Sequence, residues 1–241
     1  MSYQNVFERY EYKYLLTASQ KKDLLHENEG RLALDQYGRT TIRNIYYDTD
    51  SFRLIRDSMD HPVYKEKLRI RSYSKADVDD IVFVEIKKKY EDVVYKRRVA
   101  VPKKAAAEWI DNGKNIPIKT QITSEIDYFL KFYDGLSAKA FISYEREAYI
   151  CTSDPGFRLT LDENIRARDT GLDLGDDIRG ISLLQEGTTL MEVKISGAMP
   201  IWMARFLSSH GIRKITYSKY GTYYKDHLMT EKYQEGSDIY A

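Results

Sequence analysis

Residues 63–73 read V-Y-K-E-K-L-R-I-R-S-Y, and four cations, Lys65, Lys67, Arg69 and Arg71, occupy successive alternate positions. Side chains alternate between the two faces of a β-strand, so these four share one face while Leu68 and Ile70 point to the other. An antiparallel sheet commonly turns one face to the core and one to water, and a wet face mixes charges of both signs. A solvated face is the simpler reading of any one such strand. Four like charges on one strand face repel, however, and an anion would offset them.

The same alternation recurs outward along the chain. Residues 9–16, R-Y-E-Y-K-Y-L-L, set Tyr10, Tyr12, Tyr14 and Leu16 against Arg9, Glu11 and Lys13. Residues 81–89 set Glu85 and Lys87 against Val82, Val84 and Ile86, and residues 93–101 set Lys96 and Arg98 against Tyr95, Val99 and Val101. Strands are also expected over 41–48, 139–150, 157–166 and 189–195, about eight in all. In the last of them Glu192 and Lys194 share a face. Helices are predicted over 17–29, 102–112, 124–134 and 200–210, each followed by a glycine stop, and a last short one over 220–229. With no linker or repeat, residues 1–229 are expected to form one domain, followed by a polar tail at 230–241.

Composition narrows the function classes. Hydrophobic residues are 42% of the 241, enough for a sizeable core. The 38 basic and 37 acidic residues nearly cancel, so no global field holds nucleic acid or an anionic membrane, and anion preference must come from placement. The aromatics are expected on the apolar faces, away from the cations, which also weighs against RNA. The single cysteine, Cys151, rules out an internal disulfide, is read as a strand-end residue without chemistry, and fits a reducing, cytoplasmic setting. The first residues have no apolar core of a signal peptide, and no run of about 18 apolar residues predicts a membrane helix. None of the four histidines has zinc-site spacing, and there is no P-loop or dinucleotide-binding glycine motif.

One geometry accommodates the basic faces together. Closing about eight strands into a barrel, charged faces inward and helices packed outside, leaves room for one elongated ligand. Low-dielectric walls focus the positive potential along the bore. A thin, linear, charge-dense ligand fits: a triphosphate or a polyphosphate strand, gripped by arginine forks and lysine point charges. Glu192 among these cations either ligates Mg²⁺ or Mn²⁺ bridging phosphate oxygens, or forms an ion pair with a neighbouring cation.

The ordered runs R-Y-E-Y-K-Y, K-L-R-I-R, V-E-I-K, V-Y-K-R-R-V, Y-E-R, R-L-T-L-D, M-E-V-K and Y-S-K-Y resemble the VTC (polyphosphate polymerase) domain. That domain is a relative of the CYTH-type triphosphatases in the triphosphate tunnel metalloenzyme superfamily. The resemblance spans residues 7–224 and implies an α+β fold built on an eight-stranded antiparallel tunnel. It also implies transfer of the terminal phosphate of ATP onto a polyphosphate chain with a divalent metal, Mn²⁺ preferred. Matched to the family's motifs, the phosphate-binding residues are Lys13, Arg69, Arg71, Lys87, Lys96, Arg98, Arg146, Arg158, Ser218 and Lys219. Of these, Arg69, Arg71, Lys87 and Lys219 form the implied catalytic set, and Glu192 is the implied metal ligand. The first strand departs from the E-x-E-x-K of CYTH triphosphatases by having Arg9-x-Glu11-x-Lys13, which favours the polymerase-like branch. Regulation, or a membrane-protein partner for polymer translocation, would reside on other chains.

Overall fold

The structure is a computed structural model that describes residues 10–60, 62–91, 93–114, 116 and 118–229. Arg9 and the tail at 230–241 lie outside the described residues. All eight predicted strands form: β1 (Tyr10–Thr17), β3 (Thr40–Asp48), β4 (Tyr64–Ser72), β5 (Ile81–Tyr90), β6 (Val93–Pro102), β7 (Ser137–Cys151), β8 (Arg158–Arg168) and β10 (Thr188–Ile195). Three short strands join them, β2 (Leu32–Leu34), β9 (Ile181–Ser182) and β11 (Lys214–Ile215), giving eleven among the described residues.

These strands make one sheet in the order β11-β1-β10-β8-β7-β3-β4-β5-β6, with β2 added to β7 and β9 to β8, and every pairing is antiparallel. The expected closed eight-stranded barrel is therefore corrected to an open eleven-stranded sheet, whose end strands β11 and β6 share no ladder. The sheet is nonetheless strongly curled. Five strands separate β1 from β5, about 29 Å at ~4.8 Å per step if the sheet were flat. Yet Lys87 Nζ on β5 lies 3.3 Å from Glu11 Oε2 on β1. Side chains span the opening that the backbone leaves.

Five helices follow the predicted signals, with α1 at Ala18–Glu27, α3 at Lys103–Asn112, α4 at Gln121–Phe132, α5 at Ile201–Ser209 and α6 at Lys219–Tyr223, which runs into a π-helix at Tyr224–Leu228. One was not predicted, α2 at Arg53–Met59. Local chemistry sets the starts. Thr17 Oγ1 accepts the Gln20 N–H at 3.2 Å while the Gln20 side chain accepts the Thr17 N–H at 2.9 Å, a reciprocal cap on α1. Thr120 and Thr123 do the same for α4, which is why it begins at Gln121 and not at residue 124.

The helices cover both faces of the sheet. On the convex face, α3 and α4 place Trp109, Ile126 and Phe129 against Leu68, Val84 and Ile86. Also on that face, α1 and α5 place Leu24, Met203 and Phe206 against Leu159, Met191 and Val193. The expectation that all helices pack outside is corrected by α6 and the π-helix. Their Tyr220, Tyr223 and Leu228 pack on Tyr46, Ile142 and Leu190 of the concave face. That half of the interior is apolar and filled, and the other half is charged.

Candidate functional site

Strand register gathers the charges. Lys13 lies opposite Glu192, and Glu11 opposite Lys194, across β1 and β10. Arg69 pairs with Glu85, and Lys67 with Lys87, across β4 and β5, while Lys87 pairs with Lys96 across β5 and β6. Directly opposed residues share a face, so these side chains all enter the concave channel.

Two carboxylate anchors organise one wall. Arg146 donates to both oxygens of Asp162 at 2.6 Å and to Glu192 Oε2 at 3.2 Å. From the head of α6, Lys219 reaches Asp162 Oδ2 at 2.6 Å and Glu192 Oε1 at 3.2 Å. Lys13 stands 3.5 Å from Glu192 Oε1 and donates to the Tyr217 carbonyl at 2.7 Å. Burial pushes the Glu192 carboxyl up, but Lys219, Lys13 and Arg146 outweigh it and hold the group well below the usual carboxylate range.

Glu85, 1% exposed, anchors the opposite wall. Arg69 Nε lies 2.8 Å from its Oε2, Lys96 Nζ 2.5 Å from its Oε1, and Arg71 Nε 3.8 Å from its Oε2. Burial raises the Glu85 carboxyl and Arg69, Arg71 and Lys96 lower it more, to about 2. Burial pushes Lys96 down to about 8, with Glu85 opposing the fall. Glu11 joins the walls, 3.5 Å from Lys13 and 3.3 Å from Lys87. Burial raises it, yet Lys87 and Lys13 bring it to about 2 despite the opposing Glu192.

The channel thus brings together Lys13, Arg69, Arg71, Lys87, Lys96, Arg146, Lys219 and Glu192. Ser218 is there as the N-cap of α6, accepting the Gly221 N–H at 3.1 Å and a hydrogen bond from Lys67 Nζ at 2.9 Å. Arg98, opposite Glu85, and Arg158, opposite Lys194, share the channel face but are exposed. Arg98 lies over the Phe83 ring, 4.8 Å from its centroid.

Sequence reasoning missed Asp162, the shared partner of Arg146 and Lys219. The alternation of Arg158, Thr160 and Asp162 against Leu159 and Leu161 carried the signal. It also placed the aromatics on the outer faces, and the structure corrects this. Tyr46 OH accepts from Arg69 at 3.1 Å and Tyr144 OH from Arg71 at 3.1 Å, both among the cations. Burial raises the Tyr144 phenol, but Arg71, Arg146 and Lys219 bring it below its ordinary value.

Among the described residues no group of three or more His, Cys, Asp or Glu side chains forms a metal-binding cluster. Glu11 and Glu192, flanking Lys13 on paired strands, are the carboxylates available to a divalent ion on the β1–β10 wall. Mg²⁺-like ions are commonly held by one or two carboxylates with other oxygen ligands and water completing the shell, so this donor set fits such an ion.

The family profile described as "VTC domain" matches residues 8–226. A search of curated proteins gives no match. Among solved structures, a candidate adenylate cyclase from Bacillus halodurans is similar with 16% identity and a TM-score of 0.54, covering 89% of this chain and 96% of its own. A candidate adenylyl cyclase from Hippeastrum, described as having a dominant triphosphatase activity, is similar with 17% identity and a TM-score of 0.56, covering 91% of this chain and 96% of its own. At these identities the likeness is one of fold.

Proposed function

This chain belongs to the VTC domain family, and from that membership we propose a metal-dependent phosphotransferase that moves the terminal phosphate of ATP onto a polyphosphate chain. The observation that carries the reading is the convergence of Arg69, Arg71, Lys87, Lys96, Arg146 and Lys219 on one channel, against the anchors Glu85, Asp162, Glu192 and Glu11. The anchors hold the cations in place before the ligand arrives. Preorganised charge of this kind stabilises a transferring phosphoryl group without reorganisation during the reaction.

Arg69 and Arg71 on one wall and Arg146 and Lys219 on the other grip the phosphates of ATP from both sides. The terminal oxygen of the acceptor chain attacks the γ-phosphorus in line, a new P–O bond forms, and the bond to the β–γ bridging oxygen breaks to release ADP. No general base is needed, because a phosphate end is already ionised. Lys13, Lys87, Lys96 and Ser218 position the phosphates, with the exposed Arg98 and Arg158 steering them. Glu192, with Glu11, would hold Mn²⁺ or Mg²⁺, which would supply charge neutralisation for the phosphates. The single continuous sheet supports reading residues 1–229 as one domain, and no helix among the described residues is long and apolar enough to cross a membrane. A cytoplasmic setting belongs to the same proposal.

The second reading is a triphosphatase, in which water replaces the acceptor chain; the Hippeastrum neighbour favours it. Incubation with ATP and Mn²⁺, with sizing of acid-labile polymer and assay of ADP and free phosphate, separates the two. Polymer with ADP is expected. Free phosphate without polymer selects the triphosphatase, and tight binding without turnover selects a binding module.

A further inference from the structure

Most of the cations in this channel have a carboxylate. Lys13 has Glu11 and Glu192, Lys87 has Glu11, Arg69 and Lys96 have Glu85, and Lys219 has Asp162. Lys67 differs. Its Nζ donates to Ser218 Oγ at 2.9 Å, and among the described residues no carboxylate lies within ion-pair distance of it. The charges that act on it most strongly are cations: Lys13 from β1, Lys65 and Arg69 from its own strand, and Lys87 from β5, while Glu11 on β1 is held by Lys13 at 3.5 Å and Lys87 at 3.3 Å. From α6 comes Ser218, a hydroxyl whose oxygen already accepts the Gly221 N–H. Among the described residues Lys194 also lacks an ion pair, but Glu192 and Glu11 both act on it.

We propose that Lys67 is a further phosphate-contacting residue of the channel, neutral for much of the time when the channel is empty, and that it takes up one proton from solvent when a polyphosphate enters. This rests on the reading of the channel as a phosphate site. An ammonium surrounded by like charges and partly shielded from water sheds its proton readily, whereas an opposite charge within about 4–6 Å favours the charged form. Burial, reinforced by Lys13, Lys87, Lys65 and Arg69, agrees, pushing Lys67 down to about 7. An entering phosphate supplies the missing anion, and the free amine plus a solvent proton becomes an ammonium hydrogen-bonded to it. Ligand entry is thereby coupled to pH near neutrality.

The test is NMR titration of Lys ¹³Cε signals in the full chain, free and saturated with tripolyphosphate, with Lys67→Arg identifying the Lys67 signal and Lys67→Met confirming it. This readout follows the lysine and not the ligand's own protonation. One signal, absent from both variants, is expected to titrate near neutrality in the free protein and at least one pH unit higher with tripolyphosphate. Arginine stays charged throughout. The ratio of Lys67→Arg affinity to wild-type affinity for tripolyphosphate should therefore climb towards about tenfold per pH unit above neutrality, the limit for uptake of one proton. A Lys67 signal titrating near the ordinary ~10.4 in the free chain overturns the proposal. So does one that titrates at the same pH with and without ligand while other lysine signals report binding, and the phosphate channel then stands without it. If tripolyphosphate perturbs no lysine signal, the proposal and the channel reading fall together.

Discussion

Glu85 lies between Arg69, Arg71 and Lys96, so one buried carboxylate offsets three cations in the absence of ligand. Glu85→Gln keeps the shape and leaves those cations facing one another. Breaking a buried pair of this kind costs about 3–5 kcal/mol, so urea unfolding at pH 7 should show a loss of that order. The pH dependence has a definite sign. Because the folded Glu85 carboxyl sits at about 2, below its ordinary 4.5, its contribution is fully present above 4.5 and fades as pH falls from there towards 2. The gap between wild type and Glu85→Gln should narrow over that window, and a gap constant across it would show that charge is not the cause. Glu192 makes a sharper case for chemistry, since it faces Lys219, Lys13 and Arg146 and still lies on the channel. Glu192→Gln should abolish Mn²⁺-dependent turnover while metal-free triphosphate binding is kept or tightened, because three cations lose a competing anion. Full turnover in that variant would remove the metal role. At this scale much was legible: alternation alone put Glu11, Glu85 and Glu192 on the faces of the cations. Asp162 is less conspicuous, because the alternation of Arg158, Thr160 and Asp162 holds a single cation and does not stand out as a basic face.

The elements least visible in the sequence are those that build the inner face. The seven-residue α2 has no side-chain cap at its start, where Phe52 adopts a left-handed backbone with φ 57°. Its first N–H groups are satisfied from outside the helix: Thr49 Oγ1 accepts from Arg53 at 3.0 Å, and Asp48 at the end of β3 accepts from Leu54 at 2.9 Å and Ile55 at 3.0 Å. No local start signal announces such a helix. Asp48 also accepts from Tyr220 OH at 3.2 Å, and the Tyr220 ring stacks on Tyr46 at 5.0 Å, so one carboxylate ties α2 to α6 and α6 to the wall that holds Arg69. Asp48→Ala should cost about 1–3 kcal/mol from unsatisfied buried donors, and amide exchange should quicken in α2 and α6 together. Quickening in α2 alone would show that Asp48 does not hold α6. Placement of α6 inside the curl was illegible for a related reason. Helical periodicity says that Tyr220, Tyr223 and Leu228 need an apolar partner but not which face supplies it. On β8, Asn164 at φ 50° lies at the step where the β7 pairing shifts, which lets Ile165 and Ala167 share the concave face with Tyr220. A strict period of two would have sent them to the other side.

Across the whole molecule, the curl is fixed by contacts between side chains where the backbone ladder stops. The eight long strands were readable because each is long enough to display its alternation. Closure was not, because it depends on whether the two end strands meet, and β11 is only Lys214–Ile215. The Lys87–Glu11 bridge that spans the opening is partly exposed, with Lys87 at 36%, and pairs of that kind contribute little in water. The opening is therefore weakly bridged there, and Lys67 and Lys194 are cations in unfavourable surroundings. A polyanion lying along the bore contacts both walls and replaces one exposed bridge with many charge-assisted bonds. Tripolyphosphate should raise the melting temperature well beyond sodium chloride of equal ionic strength. At ~100 times its dissociation constant the gain is about 2.7 kcal/mol. Chloride screens the same repulsion without bridging the walls, so its effect should level off once the Debye length falls to a few ångströms. Amide exchange should slow in β1 and β5, which the ligand joins, more than in β7, which lies midway between them in the strand order and away from the opening. Removing Arg69 or Arg146 should each shrink the tripolyphosphate shift far more than the chloride response, because each variant deletes a grip on one wall. Equal shifts from the two salts would mean that the channel feels only ionic strength, and that its cations do not converge on a phosphate chain.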